Sequence, residues 1–256
     1  MTFAVQNLQF AYGSREVLKD VSFSAGENEL IFVLGANGAG KTTLFRCMLG
    51  LLHGYRGSIL LDGQRISALP ARELARRIAY IPQFHNPVFS YTALDMVLMG
   101  TSHRLSALAS PGRREREIAI QAMAQLGIES FAERGFRELS GGEQQLVLVA
   151  RALAQEARIL LMDEPTSALD FGNQVRVLQK VAALSTQGYT VLLSCHNPQH
   201  AMLYARRVIA LHDGAVAADG PPQEALSPAL VQTLYGIEAH FFSTPDGVLI
   251  SPATAE

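Results

Sequence analysis

The stretch that most constrains this chain is Gly35-Ala36-Asn37-Gly38-Ala39-Gly40-Lys41-Thr42, which fits the pattern G-x-x-x-x-G-K-[ST]. An apolar, strand-like run (29–34) precedes it and a helix-compatible run (43–49) follows. Gly35, Gly38 and Gly40 lack a Cβ, so the backbone there can take φ > 0 and turn its N–H groups inward around an anion. The helix N-terminus adds orphan donors and a partial positive charge. In that setting Lys41 would reach the β- and γ-phosphates of a nucleotide, and the Thr42 hydroxyl would ligate Mg²⁺. The alternative is a glycine-rich strand-to-helix turn that matches by chance, and the rest of the chain decides between the two.

At 256 residues the chain can bury a sizeable core as one large domain or two small ones. Its 21 basic and 23 acidic residues leave a formal net charge of −2, so no general basic surface argues for nucleic acid. The longest apolar runs are about a strand long, short of the ~20 residues that span a bilayer. The first dozen residues lack a basic segment followed by an apolar one, so no secretory signal is expected. Cys47 and Cys195 are isolated and read as buried free thiols in a reducing compartment. These features predict a cytosolic chain whose membrane association comes through a partner.

Read in order, residues 3–10 and 17–23 alternate around Tyr12-Gly13-Ser14-Arg15 and predict an antiparallel pair. Tyr12, just before that turn, is either an aromatic face for an adenine ring or a half-buried strand aromatic. A strand over 57–61 running into Asp62-Gly63, a short basic helix over 70–77 and a strand ended by Pro82 follow, with Gln83 at its edge. Residues 84–91 are turn-rich and aromatic, and 92–99 have helical spacing with Thr92 as N-cap. The alternating charges of 113–117 open a solvated helix that Gly127 ends, and a short helical stretch is flanked by Phe131 and Phe136. This block reads as a helical insertion between two halves of an α/β core.

Leu139-Ser140-Gly141-Gly142-Glu143 opens the helix that runs to Ala154. A capping box explains Ser140 and Glu143, but not two glycines at a helix start. Bare N–H groups are what a second anion site would use. Residues 158–164 form a buried, parallel-type strand ending in Asp163 and Glu164. Ligands gather at the carboxyl ends of such strands, which predicts that Asp163 lies near the Lys41 loop and holds Mg²⁺ through water. Glu164 would orient or deprotonate the attacking water. A turn, Ser167-Ala168-Leu169-Asp170, precedes a helix over 173–185, and His196 ends the apolar strand 190–195, where a γ-phosphate contact is plausible chemistry. Residues 198–204 and 221–236 read as helices, 207–211 as a strand with a hairpin turn at Asp213-Gly214, and 240–250 as two strands around Pro245-Asp246-Gly247.

From about residue 2 to 250 these motifs, in order and spacing, resemble an ABC-type ATPase, the nucleotide-binding subunit of a membrane transporter. The matching segments are Tyr12, 35–42, Gln83, 139–143, 159–164, 167–170 and His196. The resemblance implies an α/β P-loop NTPase fold. It would have a RecA-like core with an antiparallel β subdomain (1–84 and 157–250), an inserted α-helical subdomain (85–156) and a tail (251–256). It implies ATP and Mg²⁺ as cofactors, with ATP held by Tyr12, Gly35, Asn37, Gly38, Ala39, Gly40, Lys41, Thr42 and Thr43. Thr42, Gln83 and Asp163 would serve the metal, Glu164 would be the general base, and His196 would position the γ-phosphate alongside Gln83 and Lys41. Ser140, Gly141, Gly142 and Asp170 would close over the nucleotide of a second copy, so that hydrolysis needs a head-to-tail dimer.

The segment Gln83 to Gly100 and the tail hairpin are similar to the ATPases of bacterial importers for iron–siderophores, haem, cobalamin and, in one branch, molybdate or tungstate. The partners implied are two permease subunits contacting 84–100 and, indirectly, a periplasmic binding protein, at the cytoplasmic face of the inner membrane. The family usually carries an acidic residue after the switch histidine, where this chain has Asn197-Pro198, which puts the local turn in question. A soluble ABC ATPase acting on nucleic acid or ribosomes is the main alternative. The single cassette, the absence of sustained heptads between Gln83 and Ser140, and the net charge argue against it. An exporter ATPase is the other, and the 84–100 segment argues against that.

Overall fold

The computed structural model describes residues 2–83, 90–106, 109–245 and 247–253. By internal contacts the chain divides into two compact units, Met1–Leu69 with Leu184–Glu256, and Pro70–Ala183. The strands are β1 (Phe3–Tyr12), β2 (Arg15–Ala25), β3 (Leu30–Leu34), β4 (Arg56–Leu61), β5 (Gln64–Arg65), β6 (Ile78–Ile81), β7 (Ile159–Met162), β8 (Thr190–Cys195), β9 (Arg207–His212), β10 (Ala215–Gly220), β11 (Ala239–Thr244) and β12 (Gly247–Pro252). The α-helices are α1 (Lys41–Met48), α2 (Ala71–Arg77), α3 (Ala93–Leu98), α4 (Arg113–Leu126), α5 (Gly141–Ala154), α6 (Phe171–Thr186), α7 (Pro198–Tyr204), α8 (Pro222–Ala225) and α9 (Pro228–Tyr235).

In the first unit the strand order is β5-β4-β1-β2-β10-β9-β3-β8. β3 pairs in parallel with both β8 and β9. Every residue of β3 and β8 is buried, which is why β3 reads as an unbroken apolar run and β8 as one interrupted only by the buried Thr190 and Ser194. The β1–β2 and β1–β4 pairs are antiparallel and alternate buried with exposed positions, the pattern of a sheet with one wet face. Arg207 binds three strands together. Its guanidinium donates in fork geometry to Asp219 on β10 at 2.6 and 2.8 Å, and to the Ser24 carbonyl on β2 at 2.9 Å. β11 and β12 form a separate two-stranded hairpin, as the Pro-Asp-Gly segment predicts.

In the second unit β6 and β7 pair in parallel. The Thr92 capping box is present, with Asp95 N donating to the Thr92 hydroxyl at 3.1 Å and Thr92 N to the Asp95 carboxylate at 3.0 Å. Gly127 ends α4 in the left-handed region, at φ 69°. α4 and α3 both pack on α5.

Two expectations fail locally. The stretch flanked by Phe131 and Phe136 is not helical but a turn ending in an isolated bridge from Gly135, extended at φ −58° and ψ 126°, to Thr92; the helical geometry lies outside it, in the 3₁₀ turns Glu129–Phe131 and Phe136–Glu138. Residues 221–236 are two helices, because Pro228 cannot donate to a preceding turn and instead starts α9. Ser227 caps that start, its hydroxyl accepting from Leu230 N at 3.1 Å.

Gly100 follows α3 and lies against the backbone of α5, so that a Cβ there would stand 2.1 Å from the Arg151 carbonyl oxygen. Because backbone cannot yield as a flexible side chain does, Gly100→Ala is expected to lower unfolding free energy by about 1–3 kcal/mol. Urea denaturation of the two proteins measures the difference.

Candidate functional site

The first unit holds the glycine-rich loop. Gly38 and Gly40 take φ 84° and 99°, as the sequence predicts, and Gly40 is the left-handed N-cap of α1. Gly35 is glycine for another reason. Its φ is not positive, but a Cβ would stand 2.6 Å from the Leu211 carbonyl oxygen of β9. Asn37 and Gly38 are exposed, Ala39 and Thr42 half-buried, and Gly40 and Thr43 buried. Lys41 is only 5% exposed, and its ammonium donates to the carbonyls of Gly35 at 2.9 Å and Ala36 at 3.1 Å. Phosphate oxygens would compete for this same ammonium.

Gly35 N donates to the Cys195 carbonyl at 3.3 Å, which joins the loop to the end of β8. His196, the next residue, is exposed. The Asn197-Pro198 turn is well formed. The Asn197 carboxamide oxygen accepts from Gln199 N at 2.9 Å and His200 N at 3.4 Å, capping α7 as an aspartate would. Tyr12 ends β1, 45% exposed, with its ring edge-on to Phe10 at 4.9 Å. Both cysteines are buried and neither is in a disulfide, and burial pushes the Cys47 thiol up to about 12.

The second unit holds the carboxylates and the Leu-Ser-Gly-Gly-Glu helix start. Asp163 is 2% exposed, its amide donates to the Ile81 carbonyl at 2.8 Å, and the Tyr80 hydroxyl donates to its carboxylate at 3.3 Å. Glu164 has φ 43°, a left-handed conformation that a non-glycine residue holds only when its surroundings impose it. Those surroundings are identifiable. The Gln83 amide nitrogen donates to the Glu164 carboxylate at 3.2 Å and to the Ser167 hydroxyl at 3.1 Å. Ser167 donates back to the Glu164 carbonyl, from N at 3.2 Å and from Oγ at 3.1 Å.

Ser140 caps α5 with the capping box expected, Glu143 N donating to its hydroxyl at 3.4 Å and Ser140 N to the Glu143 carboxylate at 2.8 Å. The Ser140 amide holds the Glu143 carboxyl below the usual range. Ser140 and Gly141 are exposed. Gly142 is buried, and a Cβ there would stand 2.5 Å from the Asn173 side chain. Asn173 is itself gripped by Asp170, whose carboxylate accepts from the Asn173 backbone at 2.9 Å and from its side chain at 2.8 Å. Gly142 therefore has a packing reason that helix-start chemistry alone does not reveal.

Sequence reasoning gives no role to Tyr80 or Asn173, and places Ser167 only at the start of the turn 167–170. Tyr80 is legible only as the half-buried position of β6, and Asn173 only as a polar residue in the first turn of a helix. Among the described residues no helix is long and apolar enough to cross a membrane, and no cluster of His, Cys, Asp and Glu has metal-binding geometry.

An ABC transporter family model matches residues 18–167, more than half of the chain, and the chain belongs to that family. It is an ABC transporter ATP-binding subunit, an ATPase with the fold of ABC cassettes. It is 43% identical over 211 residues to an uncharacterised ABC transporter ATP-binding protein of Haemophilus influenzae, covering 82% of this chain and 80% of that one. It is 37% identical over 237 residues to the hemin import ATP-binding protein of Rhodococcus jostii, covering 92% and 80%. A solved structure, an inward-facing conformation of a putative metal-chelate type ABC transporter, aligns with a TM-score of 0.86 at 30% identity, covering 99% of this chain and 98% of that one.

His200, next to the site on α7, is 8% exposed, and burial followed by the nearby His196 holds its imidazole below the ordinary value. Its Nδ1 is buried without a hydrogen-bond partner. The folded protein thus binds this proton less readily than the unfolded chain, and stability falls as pH drops through the imidazole range near 6.5. Urea midpoints at about pH 7.5 and about pH 5.5 bracket that range. The acid-side loss is expected to be smaller in His200→Gln.

Proposed function

We propose that this chain powers the import of a metal chelate, an iron–siderophore, haem or cobalamin, or of a molybdate-type oxyanion, through a membrane permease. What carries the reading is the set of motifs 35–42, Gln83, 139–143, 163–164 and His196 in a chain this similar to a hemin import ATP-binding protein. The likeness to a putative metal-chelate type transporter supports it.

In this reading Lys41 leaves the Gly35 and Ala36 carbonyls for the β- and γ-phosphates of ATP. The Thr43 hydroxyl and the loop amides from Gly35 through Asn37, Gly38, Ala39 and Gly40 take the remaining oxygens. Tyr12 offers its exposed ring to adenine. Thr42 and Gln83 would supply hydroxyl and amide oxygens and Asp163 a carboxylate acting through water, the hard donor set that Mg²⁺ takes. Bound there, Mg²⁺ would neutralise charge on the phosphates. Glu164, held in its left-handed conformation with Gln83 on its carboxylate, accepts the proton of the attacking water. His196 positions the γ-phosphate.

Ser140, Gly141, Gly142 and Asp170 complete the site of a second copy in a head-to-tail dimer. ATP binding closes that dimer, and hydrolysis reopens it. Residues 84–100 receive the permease, and of these 84–89 lie outside the described residues. The functional division is a core with its β subdomain (1–84 and 157–250) and a helical subdomain (85–156). A periplasmic binding protein delivers the cargo, and the chain works at the cytoplasmic face of the inner membrane.

Glu164→Gln is expected to keep ATP binding and lower the hydrolysis rate by about 10³-fold, as loss of a general base does, measured by phosphate release and equilibrium nucleotide binding. Retention of most turnover would move the base elsewhere. Ser140→Arg is expected to leave single-chain ATP binding unchanged and to abolish ATP-dependent dimerisation, read by light scattering in the Glu164→Gln background. Purifying the Glu164→Gln chain from native membranes with Mg-ATP tests the import reading. Co-purification of a permease with its binding protein supports it, and recovery of ribosomes instead overturns it.

A further inference from the structure

The residue before the proposed γ-phosphate contact is fixed from one side. Cys195 lies in the β3–β8 ladder opposite Leu34, and its carbonyl accepts from Gly35 N. On the other side, His196 runs through the Asn197 cap into α7. That helix has seven residues, too few to be stable in isolation, and it packs on β3, β8, α8 and β12.

Gln199, the second residue of α7, reaches out to the tail hairpin. Its Nε2 donates to the Val248 carbonyl at 3.0 Å, and Ile250 N donates to its Oε1 at 2.7 Å. A single carboxamide thus pairs with β12 as a neighbouring strand's peptide group would. The hairpin is anchored at its other strand, with β11 packed on α9 and Ala253 N closing on the Glu238 carbonyl at 2.9 Å. Two-stranded hairpins are marginal alone, so the clasp steadies both parties.

We infer that Gln199 is a positioning residue for ATP hydrolysis: by clasping β12 it fixes the first turn of α7 and thereby the backbone that presents His196. This makes the tail hairpin a brace for the switch histidine. The inference rests on the γ-phosphate role assigned to His196 under Proposed function. Such a brace acts on orientation and leaves the loop that binds ATP untouched, so its loss shows in kcat rather than in KM. A small misplacement of a group in this position lowers rates by about 10- to 100-fold.

The test is a double-mutant cycle in the full chain with Mg-ATP, using Gln199→Ala and His196→Ala. Gln199→Ala is expected to lower kcat about tenfold while KM for ATP stays within about twofold. In the His196→Ala background the same replacement is expected to change the residual rate less than about twofold. A second variant, Gln199→Glu, keeps the acceptor for Ile250 N, loses the donor to Val248 and should also lower kcat, which guards against misfolding of the alanine variant. Wild-type kcat in either Gln199 variant overturns the inference, as does an equal loss in both His196 backgrounds. Full turnover by His196→Ala would instead overturn the role given to His196, a result separable from the first two.

Discussion

The site depends on how closely the backbone approaches itself where β3 becomes α1. Gly35 lies against the Leu211 carbonyl with no space for a Cβ, and at Gly40 a Cβ would meet Leu18 Cδ2 at 2.9 Å. These two contacts press the loop against β9 on one side and β2 on the other. Gly38, between them, faces open space, so its glycine serves only the left-handed turn. Three glycines of one motif therefore answer to two constraints, steric proximity and backbone handedness. The path of the loop is thus limited both by the strands beside it and by its own left-handed turns.

The two carboxylate positions show a similar dependence. Asp163 is the last buried step of a parallel strand, and its place follows from the ladder that ends in the Ile81 carbonyl. Glu164 lies one residue beyond the ladder in a conformation it would not choose. Gln83 and Ser167 hold it there through three groups, a carboxylate, a carbonyl and a hydroxyl. Backbone strain at a functional residue persists when its neighbours over-determine it, and here those neighbours are the motifs on either side of it in sequence. The same residues that read as separate signals are, within this unit, one hydrogen-bonded patch.

Much of this was legible because periodicity and turn chemistry are local. The β1–β2 hairpin, the Thr92 and Ser140 capping boxes, Gly127 and the tail hairpin all follow from a few adjacent residues. The failures were local too. At Gly135 a bridge ends a stretch that apolar spacing alone reads as helical, and Pro228 divides one that it reads as a single helix. What the sequence hid were contacts between segments distant in the chain, such as Tyr80 on Asp163, Asn173 under Gly142 and Gln199 on β12. A polar side chain's partner across such a distance leaves no periodic trace. Gly142 illustrates the limit, since the pattern flagged it as surplus to capping, yet only the fold shows the side chain pressed against it.

That last contact carries an evolutionary consequence. Position 142 has no room for a β-carbon because Asn173 fills the space, and Asn173 stays there because Asp170 grips it by two hydrogen bonds. The three positions are therefore not free to drift independently. A lineage that acquired alanine at 142 would need a smaller residue at 173, and that change would release Asp170 from its turn. Variation across these sites should be inherited as a set, with the glycine kept as much by its neighbour's bulk as by any anion it meets.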